Sequence, residues 1–241
     1  MSSNSLPVTD DVLSVITYLG QQNAALGLTK SFKGLVLQQN VDILEVKPDD
    51  ATFRLNDIKM CTALRGDVYL HHRVFPKPVM AHLKSLDIRK GMFVLSDFAY
   101  KDIDWKKRQY ERVQPKHPMY ATLHWKGKTV RASVDNVSVD GIGVLAYNPF
   151  EGGIKLQPGA NIHLDFQLAP EYSYTNLRGT IIHLNAIGKF SVKIGVRLFL
   201  KVKEARLLEQ YIASRKQEIL VELNQEYWEL RTPRGVESLY F

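Results

Sequence analysis

Two short motifs near the middle of the chain carry side chains suited to a small polar ligand. The first lies in the basic run from Lys106 to Arg112 and holds two arginines, Arg108 and Arg112, in the spacing RxxxR. A guanidinium fork matches phosphate oxygens two at a time and also pairs with the acceptor edge of guanine. Two such groups on an irregular connection can reach round a compact anion. The adjacent Lys107 is a further candidate for a phosphate contact.

The second motif is NxSxxG, formed by Asn136, Ser138 and Gly141. Two residues apart on a strand, Asn136 and Ser138 point to one side and can hydrogen-bond a base edge or a phosphate. Gly141 lets the turn form and lets backbone approach a ligand. Alone, RxxxR is usually a solvated charge pair, and Asn, Ser and Gly are ordinary turn residues. Their order within a β-rich unit favours a binding site.

The positive charge lies in the same half of the chain as the motifs. Residues 1–105 hold 12 Lys and Arg against 12 Asp and Glu, whereas residues 106–241 hold 20 against 13, which accounts for the net +7. Such an excess suits an anionic ligand, although plain solubility is the alternative. The single Cys61 fits a reducing cytoplasm. No apolar run approaches the roughly 20 residues of a membrane span, so we predict no membrane insertion.

Short alternating segments predict a mainly β protein with two β-barrel-like domains. We place the first domain at residues 1–105, with a leading helix that Thr9 caps and Gly27 ends. The second domain, residues 106–241, begins with the basic connection and continues as short strands with frequent turns. A long helix follows, from about Val202 to Leu230.

An apolar stripe along this final helix leaves its packing open. The proximal half is expected to pack on the second barrel. The distal half either overhangs and pairs with a partner helix, giving a homodimer, or folds back onto its own chain. The stripe consists of Leu208, Ile212, Ile219, Leu223 and Leu230.

RxxxR followed by NxSxxG resembles the PilZ family, bacterial receptors for the second messenger cyclic di-GMP. The segment Ile194–Phe199 is similar to the last-strand pattern of that family. The resemblance implies a six-stranded antiparallel barrel with a C-terminal helix, and cyclic di-GMP as the ligand. The residues to which it assigns the two motif roles are Arg108, Arg112, Asn136, Ser138 and Gly141.

The two-domain plan resembles the flagellar-brake receptors, which slow motility when the messenger rises. It implies an adaptor that is not an enzyme, in motility or biofilm signalling, with a protein partner such as a flagellar motor component. Bound ligand would gather the arginines onto the barrel and fix one interdomain orientation. Two alternatives are a cyclic di-GMP-responsive transcription regulator that binds DNA, and a degenerate PilZ protein that binds no nucleotide and serves assembly.

Four other charged or metal-binding side chains bear on this hypothesis. Glu111 lies inside RxxxR and can pair with a neighbouring arginine. Asp140 lies inside the second motif, where a carboxylate near phosphates weakens binding unless it points away or accepts from a guanine N–H. His163 and Asp165 share a strand face, but a wet polar face explains them more simply than a metal. We therefore predict neither a metal site nor catalytic residues.

Overall fold

The computed structural model describes residues 11–102, 110–147, 156–187 and 189–232. These residues form two closed six-stranded antiparallel barrels and a C-terminal helix, which confirms the predicted mainly β fold. Within the described ranges, no helix has the length and apolar character to span a membrane.

The first barrel follows a short helix, α1 (Val12–Gln21). Asp11, not the predicted Thr9, is the N-cap, because its carboxylate accepts from the backbone N–H groups of residues 13 and 14 at 3.2 Å. The helix also ends before Gly27, which lies in β1. The strands are paired in the order β1-β2-β3-β6-β5-β4. Their bounds are β1 (Leu26–Phe32), β2 (Leu35–Val46), β3 (Asp50–Leu55), β4 (Asp67–His71), β5 (Val79–Asp87) and β6 (Met92–Tyr100).

Alternation along these strands fills the first barrel with apolar side chains. Phe53 and Phe93 lie on neighbouring strands, are almost fully buried and stack with ring centroids 5.4 Å apart. A 3₁₀ helix, Ile58–Ala63, buries Cys61 in the same core and was not predicted. Burial raises the pKa of the Cys61 thiol to about 12, so this thiol stays protonated and unreactive.

The second barrel has the strand order β10-β11-β12-β9-β8-β7. Each strand overlaps a predicted one, and the final helix, α2 (Val202–Arg231), matches the predicted bounds within one residue. The strands are β7 (Tyr120–Trp125), β8 (Lys128–Ser138), β9 (Gly141–Tyr147), β10 (Asn161–Ala169), β11 (Tyr172–Ile187) and β12 (Ser191–Leu198).

The chain divides into two compact units, each of which takes part of α2. One unit comprises residues 1–32, 36–108 and 220–241, and the other comprises residues 33–35 and 109–219. The predicted division between residues 105 and 106 stays a prediction; within the predicted second domain, residues 220–241 belong to the first of these units. Leu223 lies in the core of the first barrel, and the hydroxyl of Thr62 donates either to the carbonyl oxygen of Lys59 at 3.0 Å or to that of Leu223 at 3.4 Å. The distal stripe therefore folds back onto its own chain instead of overhanging.

Candidate ligand-binding site

A row of four residues crosses the outer face of the second barrel. In the strand register, Asn136 of β8 faces Gly143 of β9, Gly143 faces Gly195 of β12, and Gly195 faces His183 of β11. Side chains alternate between the two faces of a strand, and the neighbouring Ile194 points into the fully buried core. The row therefore presents two polar side chains with two glycines between them.

The two glycines create a depression into which the polar side chains lean. A Cβ on Gly143 would lie 2.8 Å from Nδ2 of Asn136 and 3.0 Å from its Oδ1. A Cβ on Gly195 would lie 2.1 Å from Cε1 of His183. These separations are far below van der Waals contact, so Asn136 and His183 reach their positions only because both neighbours lack a side chain.

A second row lies beside the first and contains the rest of NxSxxG. Ser138 faces Gly141, and Gly141 faces Arg197. The buried hydroxyl of Ser138 donates to Oδ1 of Asp140 at 2.8 Å or to the carbonyl oxygen of Gly141 at 3.2 Å. Gly141 has no positive φ, so it does not supply the left-handed turn conformation. It supplies space instead, because a Cβ there would lie 2.8 Å from the carbonyl oxygen of Val196.

A backbone pair brings Arg112 to this surface. The N–H of Val113 donates to the carbonyl oxygen of Val137 at 3.0 Å, and the reciprocal bond measures 2.9 Å. Val137 lies between Asn136 and Ser138, so the residue after Arg112 is fixed beside the second motif. The half-buried Arg112 lines one pocket together with Asn136, Ser138 and Gly141.

The pocket also contains two cationic side chains that were not predicted as site residues. Lys193 and Arg197 flank Gly195 on the outward face of β12. The carboxylate of Asp135 lies 2.7 Å from Nζ of Lys193 and accepts from Nδ2 of Asn136 at 2.5 Å, so it orients both groups. The alternation of residues 193, 195 and 197 against the apolar residues of β12 would have pointed to this face.

Of the six predicted site residues, the structure brings four together: Arg112, Asn136, Ser138 and Gly141. Lys107 and Arg108 lie outside the described residues, so their role stays a prediction.

The two carboxylates that lie within the motifs, Glu111 and Asp140, both have partners in the second unit. Oε1 and Oε2 of Glu111 lie 2.7 and 2.8 Å from Nζ of Lys216, so helix α2 supplies a partner for this carboxylate. Asp140 accepts from Ser138, as described above. The carboxylate of Asp140 nevertheless lines the pocket, and a ligand N–H is the group that it suits.

The His163/Asp165 surface is a polar strand face. The Asp165 carboxylate accepts from the backbone N–H of Asn176 at 2.6 Å and lies 2.7 Å from Nε2 of His124. These two interactions hold the pKa of Asp165 below its ordinary value. Among the described residues, no cluster of three or more His, Cys, Asp and Glu side chains is placed to hold a metal ion.

His183 is expected to be uncharged at neutral pH. Burial first, and then the positive charges of Arg112 and Lys193, lower its pKa from the ordinary value of 6.5. Below pH 6.5 His183 is therefore protonated in the unfolded chain, whereas in the folded protein it takes up a proton only at lower pH. Over this pH range the residue reduces the stability of the folded protein.

An NMR titration checks this expectation. The His183 resonance, assigned from its absence in His183→Gln, should titrate with a midpoint below 6.5. Replacing Arg112 or Lys193 with a neutral residue should raise that midpoint, because each removes a repelling charge. A midpoint at or above the ordinary value in the unaltered protein would contradict the described environment of the ring.

Comparison with known proteins relates the second half of the chain to one family. Residues 106–214 match the PilZ domain. No curated protein sequence matches the chain. Among solved structures, the chain is similar to YcgR from Escherichia coli in complex with c-di-GMP, at 16% identity and TM-score 0.45, covering 89% of this chain and 93% of that chain.

Two further solved structures have similar coverage. The MrkH–c-di-GMP complex from K. pneumonia is 12% identical with a TM-score of 0.46, covering 89% of this chain and 94% of that chain. The inhibitor of motility MotI/DgrA from Bacillus subtilis is 14% identical with a TM-score of 0.40, covering 80% and 96%.

Proposed function

We propose, from the premise that residues 106–214 are a PilZ domain, that this chain is a cyclic di-GMP receptor. The observation that carries the proposal is the meeting of Arg112 with Asn136, Ser138 and Gly141 in one pocket on the outer face of the second barrel. Arg112 is separated in sequence from the other three, and the Val113–Val137 backbone pair brings it to the strand that carries Asn136 and Ser138. The register of β8 and β9 then places Gly141 opposite Ser138.

The chemistry of the pocket fits a compact ligand with two phosphates and two guanines. Arg112 supplies a guanidinium fork for a phosphate or for guanine O6 and N7. Lys193 and Arg197 line the same pocket and add positive charge. The carboxylate of Asp140 suits the N–H edge of guanine, and the Asn136 amide can bond either a base or a phosphate.

Arg108 and Lys107 complete the proposed site from the preceding segment. Arg108, the first arginine of the RxxxR motif, would supply a guanidinium in addition to that of Arg112. It would close over the ligand from the side opposite the barrel wall. Lys107 would add a phosphate contact. Single alanine variants of the two residues, titrated with cyclic di-GMP, test the two roles separately.

Calorimetric titration of the purified protein with cyclic di-GMP tests the function itself. We expect saturable binding that weakens with added salt, because phosphate contacts by cations are screened. Cyclic di-AMP is the matched control, since it keeps both phosphates and changes only the bases. Equal affinity for the two would mean that the site reads phosphate alone, and no binding of either would reject the receptor.

The proposed output is a change in how the two units are arranged, which a protein partner then recognises. Ligand binding would gather the segment around Arg108 onto the second barrel and shift the population towards one interdomain orientation. A flagellar motor component is the partner to test first. Small-angle scattering with and without cyclic di-GMP measures the change, and superimposable profiles at saturating ligand would rule it out.

Duplex DNA is the second candidate partner, because the whole net charge of +7 lies in residues 106–241. A DNA-binding regulator would show steeply salt-dependent binding to duplex DNA that cyclic di-GMP strengthens. An electrophoretic mobility assay at two salt concentrations distinguishes this function from a protein adaptor. The placement of the chain in the cytoplasm, inferred from its single cysteine, stays a prediction.

A further inference from the structure

We propose that His183 is a base-recognition residue, and that one guanine of the ligand stacks on the imidazole face that points away from Gly195. The inference rests on the cyclic di-GMP receptor function proposed above and names a contact that neither sequence motif includes. His183 lies in the pocket that holds Arg112, Asn136 and Ser138.

The orientation of the ring follows from its distances to the position that a Cβ on Gly195 would occupy. A Cβ on Gly195 would lie 2.1 Å from Cε1 and 2.6 Å from both Nδ1 and Nε2 of His183. An imidazole that met the glycine edge-on through Cε1 would hold its two nitrogens much farther away than its carbon. The similar distances therefore show that one face of the ring covers Gly195, which leaves the other face directed outwards.

His183 is the counterpart of Asn136 across the glycine pair. The register places Asn136 and His183 at the two ends of one row, and each leans over the glycine beside it. A base stacked on the outward face of the His183 ring would therefore belong to a ligand that the Asn136 amide can hydrogen-bond from the other end of the row. Ile182, 45% exposed and lining the same pocket, adds apolar surface next to the ring.

Different residues around His183 suit the phosphates and the bases of the ligand. Arg112, Lys193 and Arg197 already provide the cations that phosphates need. The lowered pKa of His183 means that the ring does not add to them at neutral pH. An uncharged aromatic ring among cations is suited to bind the flat face of a nucleobase, because bases stack well on such rings.

Three substitutions separate stacking from the other roles of an imidazole. His183→Ala removes the plane and should weaken cyclic di-GMP binding by about 30-fold, the range in which aromatic stacking platforms act. His183→Phe keeps a plane without ring nitrogens and should stay within about threefold of the unaltered protein, on the same reasoning. His183→Gln keeps a hydrogen-bonding group without a plane, and we expect it to bind as weakly as the alanine variant. Full binding by the glutamine variant with loss in the phenylalanine variant would overturn the proposal.

A double-mutant cycle tests whether the ring acts from its position over Gly195. Gly195→Ala alone should displace the ring and weaken binding, whereas Gly195→Ala added to His183→Ala should cost little more, because the displaced group is already gone. Independent, additive losses would show that the two residues do not act together, and would overturn the assignment. Melting temperatures of all variants show whether each one remains folded.

The first barrel offers a matched control for the packing of histidine over glycine. His71 faces Gly27 in the strand register, and a Cβ on Gly27 would lie 2.2 Å from Nε2 of His71. His71→Ala therefore makes the same change in the other barrel and should leave ligand affinity unaltered.

A fluorescent ligand gives a readout that does not depend on affinity. A cyclic dinucleotide carrying 2-aminopurine should be quenched on the unaltered protein and on His183→Phe at saturation, and clearly less on His183→Ala. If the unaltered protein fails to bind cyclic di-GMP, the receptor function is wrong. If it binds, and His183→Ala binds and quenches equally well, only the stacking role is wrong.

Discussion

Replacing Arg112 with alanine is expected to weaken cyclic di-GMP binding by about 100-fold. A charge-assisted hydrogen bond contributes roughly 1.5–3 kcal/mol, and about 1.4 kcal/mol corresponds to a tenfold change in affinity. Arg112 is half-buried, and the backbone pair at Val113 fixes its position beside Asn136 and Ser138. The loss should therefore lie at the upper end of this range. Calorimetric titration at constant ionic strength measures it.

Two companion variants show whether the effect belongs to the site or to charge in general. Arg131 lies on β8 of the same barrel, with its guanidinium 4.4 Å from the ring centre of Tyr120, and it does not line the pocket. Arg131→Ala removes the same charge and should change affinity by less than about threefold, as expected for a distant exposed cation. Arg112→Lys keeps the charge but loses the planar fork, so intermediate binding is expected. Equal losses for Arg112→Ala and Arg131→Ala would contradict a specific role for Arg112.

The strands were predictable because their pattern is local. Along Asn161–Ala169, apolar residues that enter the core alternate with polar residues that face outwards, and this alternation is visible in the sequence. The same holds for Ser191–Leu198. The motif spacing also sufficed to place Asn136 and Ser138 on one side of a strand, because the side-chain period of a strand is fixed.

His183 was not predicted, because its role depends on register between strands. Nothing near residue 183 in sequence indicates that it will face Gly195, or that Gly195 will face Gly143. A shift of one residue in either pairing would move the polar side chain to the opposite face of the sheet. Lys193 and Arg197 were not predicted as site residues, because a basic residue on the polar face of a strand is normally exposed to solvent without a specific role.

The distal half of α2 shows the same limit for helices. Helical spacing identified the apolar stripe that contains Leu223, but an apolar stripe does not specify what covers it. From the sequence, either a partner helix or the chain's own first barrel could cover this stripe. The structure selects the barrel, where Leu223 is 8% exposed within the apolar core.

Leu223→Ala is therefore expected to destabilise the first barrel by about 2–5 kcal/mol, the usual cost of removing a buried leucine side chain and leaving a cavity. Leu223 packs within the apolar core of this barrel, so removing its side chain leaves unfilled space among buried residues. Amide hydrogen exchange in β3 and β6 measures the change where the core phenylalanines lie. The second barrel should respond much less.

Val221→Ala is the matched control two residues earlier on the same helix. Val221 is 54% exposed, so its truncation should cost less than about 0.5 kcal/mol, as surface substitutions usually do. If this distal stripe mediated a homodimer, Leu223→Ala would instead lower the dimer fraction and leave exchange in β3 and β6 unchanged. Sedimentation of both variants, beside the exchange data, separates a helix that completes a barrel core from one that joins two chains.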